Sequence, residues 1–141
     1  MEQNNPKQSR FARVVVILTG LITLGFGAAF LLVPAAMMEF VELDLTTPSA
    51  LTEIRAIYGG FQIGLGTFLL ICASNPTLFA PACLTGCLVL GGAALGRMVG
   101  MVVDGDPLQS IVLLFTLELS GAVLNGYALW TLRKSQSGLR N

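Results

Sequence analysis

An all-α, integral membrane four-helix bundle is expected for this chain on three observations. Hydrophobic residues make up 54% of its 141 residues and charged ones only 11%, with a mean hydropathy of +0.76. Soluble domains carry about 25% charged residues, so the deficit points to lipid. Four apolar stretches are each long enough for the ~20 helical residues that a hydrocarbon core of ~30 Å demands. Basic residues gather beyond those stretches: Lys7, Arg10 and Arg13 precede the first, and Arg133, Lys134 and Arg140 follow the last.

The first span is expected over Val14–Val33, an apolar run ended by Pro34. That run is longer than a signal-peptide core of ~7–15 residues, and no small-x-small cleavage site follows it before Pro34. A retained span is therefore expected. From Pro34 to Leu45, Met37, Met38, Phe40, Val41, Leu43 and Leu45 mix with Glu39, Glu42 and Asp44. This reads as a short helix at the membrane interface, with a plain extension of the first span as the alternative. The second span is expected over 52–73, with Thr47 as a cap and Pro48 at the first helical position. The third is expected over 81–103. The fourth, 107–132, starts with Asp106 as cap, Pro107 at the first position and Gln109 where a capping box wants Gln or Glu.

Residues 1–141 thus form one transmembrane domain with tails at 1–13 and 133–141. An even number of spans puts both termini on one side, and the positive-inside rule makes that side cytoplasmic. The Ser74–Ala80 turn joins them there. Pro34–Ala50 and Asp104–Asp106 contain no Lys or Arg and face outward.

Composition also excludes. The chain has no histidine, which removes the commonest general base and the commonest metal ligand. Cys72, Cys83 and Cys87 lie in apolar segments, and no Cys-x-x-Cys pair exists. Although Cys83 and Cys87 share a helix face, the three read as small packing residues. No metal and no cofactor are expected. No basic patch with interleaved aromatics is present, so nucleic-acid binding has no basis. Gly60-x-x-x-Gly64 and Gly92-x-x-x-Gly96-x-x-x-Gly100 form small-residue stripes of the kind that lets membrane helices approach closely. They are expected to pack helices within the bundle, with homodimerisation or a partner membrane subunit as the alternative.

Chemistry is concentrated in the charges embedded in the spans. Arg55, Arg97 and Glu118, with Glu53 near the rim, each cost roughly 2.5–3.5 kcal/mol to insert. At ~1.5 Å per residue, Arg97 lies ~10 Å below Asp104 and Glu118 ~16 Å below Pro107. At 3.6 residues per turn, Arg55, Tyr58, Gly59, Gln62 and Gly66 share one side of the second helix. Arg97 aligns with Ala93, Gly100 and Asp104, and Glu118 with Leu114, Gly121, Ala122 and Asn125. Facing one another, these stripes would form a polar pocket in the outer half of the bundle. Arg55 and Arg97 flank its mouth, Tyr58 and Gln62 its wall, Glu118 its floor, and Asp104 stands beside it. Two cations against one anion leave a surplus of +1, which favours a small amphipathic or anionic ligand. Glu53 points away and serves the helix start. The alternative is a buried salt-bridge network that only fixes helix register.

The stretch Glu53-Ile54-Arg55-Ala56-Ile57-Tyr58-Gly59-Gly60, with Gly64-x-Gly66, Gly96-Arg97, Asp104-Gly105 and Glu118, resembles a bacterial family of small four-helix membrane proteins. That family is catalogued only as a domain of unknown function. A looser resemblance links the chain to the DoxX-like membrane proteins. The resemblance implies four helices, a single domain and a bacterial inner-membrane location, and no activity. The expected function is a non-catalytic module binding a small amphipathic ligand, lipid or partner subunit. A transporter or proton pathway through Glu118 is the alternative, and an enzyme with Glu118 as general acid the next.

Overall fold

The computed structural model describes residues 6–41, 43, 47–105 and 109–137, and among them every regular element is helical. Four helical stretches are long and apolar enough to cross a membrane: Lys7–Leu32, Pro48–Cys72, Pro76–Val103 and Gln109–Ser135. The first belongs to α1 (Pro6–Leu32). It starts eight residues before the expected Val14, because the polar head of the run is itself helical. Pro34 does break it, and α2 (Pro34–Phe40) begins at that proline, whose missing N–H costs nothing at a helix start. The short helix expected after Pro34 is therefore present. Glu42, Asp44 and Leu45, also part of that expectation, lie outside the described residues.

α3 (Pro48–Ile54) opens as expected: Thr47 Oγ1 accepts from the Ala50 N–H at 3.2 Å, with Pro48 at the first position. It runs through a π-helical segment, Arg55–Gly60, into α4 (Phe61–Cys72) without a break. The helix thus starts at the expected Pro48 and leads into the expected span 52–73. A single 3₁₀ turn, Pro76–Leu78, capped by the Asn75 side chain, leads into α5 (Phe79–Val103). Gly105, with a φ of 72°, ends α5 in the left-handed conformation that glycine adopts freely. α6 (Gln109–Ser137) completes the bundle and runs past the expected Leu132. Asp106 and Pro107, the expected cap and first position, lie outside the described residues, and Gln109 is the first described residue of α6.

α1 occupies the centre and packs against α4 on one side and the α5–α6 hairpin on the other. At the end holding both termini the four helices close on a dry core that includes Val16, Leu69, Cys83, Ala128 and Leu132. At the opposite end a small second core of Phe30, Met38 and Ile54 ties α1 to α2 and α3. Between these cores the helices spread.

Close approach relies on glycines other than the expected ones. A Cβ on Gly66 would fall 2.7 Å from the Leu24 nitrogen and 2.8 Å from the Gly20 oxygen. One on Gly27 would fall 2.8 Å from the Ile63 nitrogen and 3.0 Å from the Gly59 oxygen. Gly20 thus faces Gly66, and Gly27 faces Gly59, an antiparallel match of two glycine pairs with the same spacing of two turns. By contrast, Gly64, Gly92 and Gly96 have nothing within 4 Å of an added Cβ, and Gly60 and Gly100 only ordinary contacts at 3.8 and 3.7 Å. The small-residue stripes expected to pack the bundle do not do so, because the helix faces that meet are those of Gly59/Gly66 and Gly20/Gly27.

Candidate functional site

α5 and α6 bring Arg97 and Glu118 into direct contact. Arg97 Nε donates to Glu118 Oε2 at 2.7 Å and Nη2 to Oε1 at 3.1 Å, the two-pronged geometry that makes such pairs strong. Counting residues puts Arg97 nearer the loop end than Glu118, and the long arginine side chain closes that gap. Both charges are thereby neutralised at one point. Both also line a cavity of about 840 Å³ in the region where the helices spread. Its size falls in the ~300–1,000 Å³ range of small-molecule sites.

Tyr58 and Gln62 line the same cavity from the second span, so four of the six expected site residues converge. The Tyr58 ring packs on Phe30 with centroids 5.3 Å apart. Thr19, Thr23, Phe26 and Phe30 supply the α1 wall, and Met37 and Phe40 close the loop end. Ile22 and Leu117 line the cavity while being 60% and 54% exposed. Apolar side chains of α1 and α6 thus stand at the exposed margin of the cavity.

Arg55 does not flank this cavity. Its Nε donates to the Leu31 carbonyl at 3.3 Å, in the last turn of α1, where carbonyls lack an intrahelical partner and the helix dipole favours a cation. The cause lies in the π segment: its wider turn, with Phe61 N–H bonded to the Ala56 carbonyl, rotates Arg55 off the face it would share with Tyr58 in an α-helix. Asp104 is also outside the cavity lining; it is exposed at the end of α5, with its N–H on the Gly100 carbonyl at 2.8 Å. Glu53 is exposed on α3. Without Arg55 the surplus positive charge is gone, and the site is neutral.

Just beyond the cavity floor Asn125 is fully buried. Its Nδ2 donates to Thr19 Oγ1 and to the Gly121 carbonyl, each at 2.9 Å, tying α6 to α1. A Cβ on Gly86 would fall 2.5 Å from Asn125 Oδ1, so only glycine leaves room for this side chain on α5. The Asn125 stripe was legible; its Thr19 partner was not. Thr19, Thr23, Phe26 and Phe30 stand at i, i+4, i+7 and i+11, one helical face, and two threonines in an otherwise apolar run were the available signal.

Four helices able to cross a bilayer, splayed around a cavity with one neutralised ion pair, define a small multi-pass membrane protein. Residues 11–129 match the model of the family described as Domain of unknown function (DUF4345), and the chain belongs to that family. No curated protein and no solved structure matches it, so the looser likeness to DoxX-like proteins gains no support.

Proposed function

We propose that this protein is a non-catalytic module that holds a small amphipathic molecule, foremost a lipid, in the cavity beside Arg97 and Glu118. The carrying observation is the cavity itself: a largely apolar, partly aromatic space into which each of the four spans also brings polar side chains, Thr19 and Thr23, Tyr58 and Gln62, Arg97, and Glu118. A chain that needed Arg97 and Glu118 only to fix helix register would have no cause to leave about 840 Å³ unfilled beside them. In this reading both termini are cytoplasmic in a bacterial inner membrane, and the cavity lies in the outer half. Support comes from Arg10, Arg13, Arg133 and Lys134 at one end, where Lys134 Nζ sits 5.1 Å over the Trp130 ring and Tyr127 stacks beside it. Basic residues in this number favour the cytoplasmic side, and aromatic side chains beside them suit a membrane interface on either side.

A proton or substrate pathway is the second reading, favoured by the polar Asn125–Thr19 pair inward of Glu118. The dry core of Val16, Leu69, Cys83 and Leu132 below that pair works against a continuous route. Native mass spectrometry of gently extracted protein tests the choice. A retained lipid-sized mass is expected, with proteoliposomes showing no proton flux. A bare protein, together with a flux abolished by Glu118→Gln, would sustain the transporter instead.

A further inference from the structure

We infer that the molecule bound in this cavity has an uncharged, carbonyl- or hydroxyl-bearing head on a single apolar chain, as a monoacylglycerol does. This rests on the reading of the cavity as a ligand site and specifies what that site selects. The first ground is charge. Arg97 and Glu118 cancel, and neither Arg55 nor Asp104 reaches the cavity. An anionic head would have to approach Arg97 alongside the Glu118 carboxylate, leaving the site with a net negative charge among apolar walls, where uncompensated charge is costly. A cationic head would meet Arg97 in the same way.

The second ground is unmet hydrogen bonding. Two of the guanidinium's five N–H groups go to Glu118, and the others find no partner among the described residues. The same holds for the Gln62 amide and the hydroxyls of Tyr58 and Thr23, all of which line the cavity. Each Glu118 oxygen already accepts from Arg97, so the unpartnered N–H groups of Arg97 and Gln62 are left for the acceptors of a ligand head. An ester carbonyl with a neighbouring hydroxyl supplies acceptors to Arg97 and Gln62 and returns a donor to Gln62 or Tyr58. A purely apolar occupant would leave these groups bare. The third ground is shape. The remaining wall, including Phe26, Phe30, Met37 and Leu114, suits one flexible chain, and the volume is that of a drug-sized body.

Titration of the detergent-solubilised, delipidated protein with 1-oleoylglycerol, oleate and oleoyl-lysophosphatidate, read by native mass spectrometry, tests the inference. The glycerol ester is expected to bind at least tenfold more tightly than either anion of the same chain. Gln62→Leu, which removes no hydrogen bond of the fold, is expected to weaken the ester about tenfold and leave the anions unchanged. Equal or tighter binding of an anion by the wild type would overturn the uncharged-head inference while leaving the cavity a ligand site. Binding of none of the three probes would overturn both.

Discussion

Glu118→Leu alone is expected to destabilise the protein by about 2.5–3.5 kcal/mol, the cost of leaving the part-buried Arg97 charge unpaired within a span. Arg97→Met alone should act similarly, since among the described residues each of the two side chains hydrogen-bonds only the other. Combining the two should restore most of the lost stability, because the double variant buries no charge. Reversible unfolding in mixed micelles, followed through all four members of this cycle, checks the expectation. The double variant also separates two roles of the pair. It should fold, yet lose the polar anchor for a ligand head, so stability returns while ligand retention does not. Single-variant losses that simply add would mean the two charges are not coupled, against the 2.7 Å geometry.

Gly66→Ala is expected to cost about 1–3 kcal/mol, the usual range for overpacking a tight contact. Its new methyl would press on backbone, at 2.7 Å from the Leu24 nitrogen and 2.8 Å from the Gly20 oxygen, and backbone cannot rotate aside as a side chain can. α1 and α4 would have to separate, and in lipid no hydrophobic force pushes them back together. Gly64→Ala, one half-turn away with nothing within 4 Å, should lie within about 0.5 kcal/mol of the wild type. Thermal unfolding of the two variants in the same detergent compares them directly. A Gly64 variant as damaged as the Gly66 one would mean that the Gly60/Gly64 stripe packs after all.

Much of this arrangement was legible before any coordinates. Hydropathy and length fixed the four spans, and Thr47–Pro48 marked the start of the second because a cap and an N1 proline are local chemistry. Depth and face counting brought Tyr58, Gln62, Arg97 and Glu118 to one place, since three of the four sit on regular α-helix or at its edge. Arg55 failed for a definite reason: a count at constant 3.6 residues per turn cannot foresee a π segment, and that segment begins at Arg55 itself. The glycines failed differently. Spacing by four is a property of one helix, whereas packing depends on which faces of two helices meet. The matched two-turn spacing of Gly20/Gly27 and Gly59/Gly66 was visible, but only as a relation between two spans. The α1 wall was missed because threonines hide in an apolar run, where their hydroxyls usually bond back to the helix.

Gly96→Phe offers the most direct test of the cavity as a ligand site. Gly96 lines the cavity and nothing lies within 4 Å of a Cβ added there, so a phenylalanine ring at this position is expected to take up cavity volume. The variant should be at least as stable as the wild type, since it fills empty volume and replaces a mid-helix glycine. In native mass spectrometry of gently extracted samples, the wild type should carry a lipid-sized adduct and Gly96→Phe none. Equal retention of the adduct by both proteins would contradict the account.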